Sequence, residues 1–160
     1  MLKPEECFVA SIEKAEPMSF VIPTASFAHR ALIFEADNRK LALFVDGPED
    51  FRFHFLLCED RWSGLHIPGV SIELDPASIF DTNGQWAPLG SLTRHGENLV
   101  VQSRFLDGRA GPFGTSLVMM TGLPVGETHS KACFLRWQIV LGEGDEKRVL
   151  HTVDASPVQQ

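Results

Sequence analysis

ALIFEA-DN-RKLALFV-DGPED-FRFHFLLC, residues 31–58, alternates apolar with other side chains at period two and is interrupted twice by turn-forming residues. A strand points neighbouring side chains to opposite faces, so the stretch reads as three antiparallel strands joined by two turns. Closing the first turn on Asp37-Asn38 sets Leu32 opposite Leu43, Phe34 opposite Leu41, and Glu35 opposite Lys40, an opposite-charge pair. Closing the second over Asp46 to Asp50 sets Val45, Leu43 and Leu41 opposite Phe51, Phe53 and Phe55. One face is then wholly apolar: Leu32, Phe34, Leu41, Leu43, Val45, Phe51, Phe53 and Phe55. The other is mixed: Ile33, Glu35, Lys40, Ala42, Phe44, Arg52 and His54. A one-residue slip breaks both patterns, which fixes the register.

The same signals recur on either side. Residues 7–12 and 19–22 are short apolar runs, split by Glu16-Pro17 and stopped by Pro23. Each suits an edge strand, where proline is tolerated, and a short helix over 4–14 is the alternative. Val70, Ile72 and Leu74 alternate with Ser71 and Glu73 before Asp75-Pro76, and residues 99–106 form another strand pattern. A last hairpin spans 133–141 and 147–153, aligned with Ile139 opposite Val149, Trp137 opposite His151, and Leu135 opposite Val153. No window shows a helical period and no repeat recurs at fixed spacing. The expectation is an all-β fold, an antiparallel sandwich or half-open barrel of about eight to ten strands with at most one short helix. Residues 1–154 form one β-domain, and 155–160 are expected to be a flexible C-terminal tail.

Composition narrows the partners. The 160 residues include 14 Lys and Arg against 21 Asp and Glu, a formal charge of −7. Polyanions are held by basic patches, so neither nucleic acid nor an anionic membrane is an expected partner. Twelve Phe, three Trp and no Tyr give an aromatic set suited to a dry core. Cys7, Cys58 and Cys133 are widely spaced without a CxxC pair, which fits a reducing compartment; the N-terminus has no apolar leader, and the expected location is cytoplasmic.

Motifs for chemistry are sparse. The six histidines include no HxH or HxxxH pair, and FRFHF carries a single histidine where a cupin-type barrel has two, so no metal site is expected. GxSxG is absent, and no motif implies a cofactor. GRAGPFGTS, residues 108–116, clusters glycines before hydroxyls but lacks the lysine of a Walker loop. In order it resembles the glycine-rich closing motif of dUTPases, at Arg109, Phe113, Gly114, Thr115 and Ser116. That motif closes a chain, whereas over 40 residues follow here and the other dUTPase motifs are missing, so no role is carried over.

The strands themselves carry the candidate site. Arg52 and His54 share one face of the third meander strand, Gln102 and Arg104 alternate along residues 99–106, and Arg136 precedes Trp137. Arginine forks bind carboxylates and phosphates bidentately, so a curved sheet that gathers these side chains takes a small anionic molecule. The candidate ligand-binding residues are Arg52, His54, Gln102, Arg104, Arg136 and Trp137. The reading is a binding or interaction module that forms a homodimer through unguarded edges at residues 7–12 and 149–153. The alternative is a small enzyme acting on an anionic metabolite, with His54 as acid–base and the arginines as clamps; no catalytic partner for His54 is legible from spacing.

Overall fold

The computed structural model describes residues 1–24, 29–36, 39–58, 62–83, 87–95, 98–105, 116–119, 124–125 and 132–156. Within them the chain is all-β. The strands are β1 (Phe8–Ser11), β2 (Ser19–Pro23), β3 (Ala31–Ala36), β4 (Arg39–Phe44), β5 (His54–Leu57), β6 (Ser63–Ile67), β7 (Ser71–Leu74) and β8 (Ile79–Asp81). They continue with β9 (Leu92–His95), β10 (Asn98–Phe105), β11 (Ser116–Met119), β12 (Pro124–Val125), β13 (Ala132–Phe134), β14 (Arg136–Leu141) and β15 (Arg148–Asp154). Several are only two to four residues long, which is why fifteen segments appear where the sequence pattern suggested eight to ten. In place of a helix over 4–14, single 3-10 turns at Pro4–Glu6 and Ile12–Lys14 bracket β1.

Ten strands run in the order β1-β6-β2-β3-β4-β5-β10-β9-β13-β8, with β11 beside β10 and β12 beside β11; β15-β14-β7 form a second sheet. Every described pairing is antiparallel except β5 with β10, which is parallel. Between the sheets lies one core, in which Leu32, Phe34, Leu43 and Phe55 of the large sheet meet Trp137, Ile139 and Val153 of the small one. β1 ends the large sheet and β15 ends the small one, while β2 is interior, between β6 and β3.

The first hairpin has the register read from sequence, including Leu32 with Leu43, Phe34 with Leu41 and Glu35 with Lys40. The second is displaced by two residues, with Leu43 opposite Phe55 and Leu41 opposite Leu57. Its turn is longer than DGPED. Phe51 and Arg52 donate their N–H groups back to the Pro48 carbonyl, and Phe53 takes φ +64° before β5 begins. A two-residue shift preserves the face, so Phe53 and Phe55 still enter the core, but Phe51 stays 36% exposed against His29 and Phe44. The last hairpin is also displaced by two: Trp137 faces Val153 and Ile139 faces His151, with a bulge after Ile139.

The face expected to be mixed is largely a second core. Ile33, Ala42 and Phe44 are buried there with Val21, Ala31 and Cys58 beneath Ile12 and Ala15. Ile12 is anchored by its N–H to the Trp62 carbonyl, and Lys40 reaches over to the Glu13 carbonyl. The large sheet is thus covered on both sides near its middle. At the C-terminal end, Ala155 is buried in the main core and its N–H donates to the Leu135 carbonyl; residues 157–160 of the expected tail lie outside the described residues.

Candidate functional site

β5 and β10 supply the centre of the site. Their parallel pairing sets Arg104 beside His54 and Phe105 beside Phe55. Because Phe55 points into the core between the sheets, alternation sends His54 and Arg104 to the outward side of the large sheet. Gln102, two residues before Arg104, belongs to that same side of β10. It is only 3% exposed, and its Nε2 has no hydrogen-bond partner among the described residues. Buried polar atoms are nearly always satisfied, and among the described residues this amide donor has no acceptor.

His54 is oriented by main chain. Its Nδ1 lies 3.0 Å from the Arg52 carbonyl oxygen. A carbonyl only accepts, so Nδ1 is the donor, and in the neutral tautomer this selects, Nε2 holds the lone pair. Arg52 is exposed and stacks its guanidinium over the Phe53 ring at 5.2 Å. The positive φ of Phe53 makes this corner possible: its N–H donates to the Phe44 carbonyl, and its carbonyl accepts from Arg104 N–H at 3.3 Å. The ring lies against Gly90, where φ is +89° and an added Cβ would sit 2.4 Å from the ring. A glycine is required there by both backbone conformation and space.

The other two sequence candidates lie on the second sheet. Trp137 is completely buried, and its Nε1 donates to the Gly90 carbonyl at 2.9 Å, so its ring pins the two sheets together. Arg136 points to the outward side of the small sheet, where its Nε lies 3.0 Å from Asp75 Oδ2. Asp154 is its register partner. Ser156 donates to that carboxyl, and Arg136 and Arg52 add positive charge, together holding Asp154 below the usual carboxylate range. Arg52, stacked over Phe53, is near enough to the small sheet for its charge to act on the Asp154 carboxyl. A cleft of about 280 Å³ opens beside Arg136, lined by Glu73, Asp75, Gln138 and Thr152 among others. The register sets Arg104 beside His54, with Gln102 two residues before Arg104, while Arg136 and Trp137 lie on the opposite layer.

Other chemistry is placed unfavourably. Burial pushes the Cys133 thiol up from its ordinary value, away from a nucleophilic thiolate. Among the described residues no cluster of three or more His, Cys, Asp or Glu is placed to hold a metal ion, and no helix is long and apolar enough to cross a membrane. Residues 108–115 of the glycine-rich segment lie outside the described residues.

Residues 9–160 match the family model described as "Uncharacterised protein y4lG". The chain belongs to the y4lG family. It is 34% identical over 152 residues to Uncharacterized protein y4lG of Sinorhizobium fredii (strain NBRC 101917 / NGR234), covering 94% of this chain and 91% of that protein. No solved structure gives a significant match. The family span includes every residue of the candidate site.

Sequence reasoning missed Asp75, Asp154, Phe53 and Gly90. Asp75-Pro76 reads as a strand stop, and it is one: Asp75 Oδ1 accepts from Ala77 N–H to cap the following turn. Its second role, engaging Arg136 from a strand far away in sequence, has no local signature.

Proposed function

We propose that this protein is a binding module for a small anionic molecule, held on the outward side of the large sheet by Arg104, Gln102 and His54, with Arg52 at the rim. The observation that supports the reading is the β5–β10 register, with Arg104 paired to His54 and Gln102, whose buried amide has no acceptor among the described residues, two residues before Arg104. A carboxylate or phosphate oxygen supplies that acceptor, and the exposed Arg104 fork supplies the charge. Three free cysteines support a reducing, cytoplasmic setting. β1 and β15 each end a sheet, which supports the homodimer expected from unguarded edges.

Isothermal titration calorimetry with inorganic phosphate and with succinate tests the site. Arg104→Ala should weaken binding by about 1.5–3 kcal/mol, the range for charged hydrogen bonds, with little loss of stability. Gln102→Leu should weaken it without destabilising the fold, because the amide Nε2 has no partner to lose among the described residues. Arg136→Ala should change affinity little, since Asp75 already engages that guanidinium. Affinity for both probes unchanged by Arg104→Ala, or binding by neither, rejects the site.

A catalytic reading is favoured by one observation, the Arg52 carbonyl on His54 Nδ1. It supplies the orienting group that spacing did not reveal and leaves Nε2 available as a base beside Arg104. Turnover of an anionic metabolite lost in His54→Gln, with its binding retained, would select this reading over simple binding.

A further inference from the structure

Both ends of the ten-strand order carry large apolar side chains in solvent. Phe8 and Val9 on β1 are 40% and 68% exposed, and Ile79 and Phe80 on β8 are 59% and 38% exposed. Neighbouring strand residues point to opposite faces, so each of these edges is bare on both sides. An edge strand also presents a row of unpaired N–H and C=O groups, which natural sheets guard with charge, proline or a covering segment.

The described edges differ in their guards. β15 is tied down: the Arg148 guanidinium donates to both Glu6 carboxylate oxygens and to the Met1 carbonyl, and His151 Nε2 lies 3.3 Å from the Val45 carbonyl. β7 carries Glu73, paired with Lys147. β8 ends on Asp81, a charge on a three-residue strand. β1 has none of these. The run from Cys7 to Ile12 contains no charge and no proline, and Phe8 leans on the His66 ring at 5.0 Å with much of its own surface open.

We infer that β1 is the surface on which a second copy of this chain docks, two β1 strands pairing antiparallel about a two-fold axis so that the large sheet continues from one copy into the other. This rests on the homodimer reading above and assigns its surface. The segment is self-complementary: an axis between Val9 and Ala10 sets Phe8 opposite Ser11 and Val9 opposite Ala10, with no charge facing a charge. That matters because each copy carries −7, and a contact made by an uncharged strand brings them together at the least like-charge cost. Salt therefore tightens the association, the reverse of its effect on an ion-paired interface. A head-to-tail contact of β1 with β8 leaves free edges at both ends and grows without closing.

Sedimentation velocity on the full chain, from about 1 to about 100 µM and at about 50 and about 300 mM sodium chloride, tests the assignment. The expected result is a single monomer–dimer equilibrium with more dimer at higher salt. Val9→Lys, at a position touching no core, should weaken it at least about tenfold with an unchanged denaturation midpoint. Val149→Lys on β15 should leave it unaltered. In the unmutated chain, hydrogen exchange should show amides of β1 gaining protection as concentration rises, a readout independent of any variant. A monomer at every concentration overturns the assignment and the homodimer reading together. A dimer indifferent to Val9→Lys overturns the assignment alone, and one dissolved by Val149→Lys moves the contact to β15. A ladder of larger species dissolved by Ile79→Lys replaces the closed dimer with head-to-tail growth.

Discussion

Gly90→Ala should be among the most damaging methyl additions in this molecule. The residue holds φ at +89°, where an L side chain costs about 1–2 kcal/mol. The new Cβ would also meet Cδ2 and Cε2 of Phe53 at 2.4 Å. Neither partner yields easily. Gly90 N–H donates to the Gln102 carbonyl at 2.7 Å, its carbonyl accepts from Trp137, and Phe53 is held at both its N–H and its carbonyl. Overpacking of such a core costs about 1–3 kcal/mol, giving about 2–5 kcal/mol in all. For a chain of this length that lowers the thermal midpoint by about 4–20 °C. Urea unfolding of Gly90→Ala, Phe53→Ala and the double variant separates the two contributions. Phe53→Ala alone should cost about 3–5 kcal/mol. In the double variant the ring clash is gone and only the backbone strain of an L residue at this φ remains, so the combined loss should fall short of the sum by about 1–3 kcal/mol. Strict additivity, or a neutral Gly90→Ala, would refute the claim that this glycine exists to admit the Phe53 ring.

Trp137→Phe keeps most of the ring volume but strands the buried Gly90 carbonyl, and should cost about 1–3 kcal/mol by urea denaturation; a loss below about 0.5 kcal/mol would show that the bond is replaced by another donor. Stability should also fall with acid in a defined window. His66 and His151 are both depressed from their ordinary value, by burial first, so below about pH 6.5 the unfolded chain takes up protons that the folded one refuses. Each ring then removes at most about 1.4 kcal/mol per pH unit, while their contribution is fully present above that range. Chemical denaturation between about pH 7.5 and about 5 checks this, and a flat profile contradicts it. Glu6, held down to about 2 by Arg148, loses its contribution only in stronger acid and cannot account for a decline in that window.

How much was legible depended on distance along the chain. The β3–β4 register could be read because a two-residue turn leaves one alignment that satisfies Leu32, Phe34 and Glu35 at once. The next hairpin slipped by two because nothing in FRFHF announces that a phenylalanine adopts φ +64° and that the turn consumes Arg52 and Phe53. Alternation survived the slip, so the outward placement of His54 was readable even though its partner was not. The buried second face was only half visible. Ile33, Ala42 and Phe44 show apolar character in the sequence, but the Ile12–Ala15 segment that covers them is a long-range event. Arg136 read as a free cation for the same reason: strand β7 brings Asp75 to it from a distant part of the chain, and pairing at that separation leaves no local periodicity.

The strand order also governs how this chain reaches its native state. β1 and β2 are neighbours in sequence, yet they meet only through β6, so the His66 ring closes on the Ala10 carbonyl across 56 residues. β5 likewise awaits β10, and β7 awaits β14, while the β3–β4–β5 meander and the β14–β15 hairpin assemble from adjacent segments. Loop-closure entropy must be spent on these distant pairings before they return any burial, which slows folding relative to proteins built from local contacts. No cut between β7 and β13 leaves either sheet whole. We propose that the two layers unfold as one cooperative unit, and an N-terminal fragment emerging from synthesis exposes Phe20, Leu32, Phe34 and Leu43 until the strands carrying Val101 and Trp137 arrive to cover them.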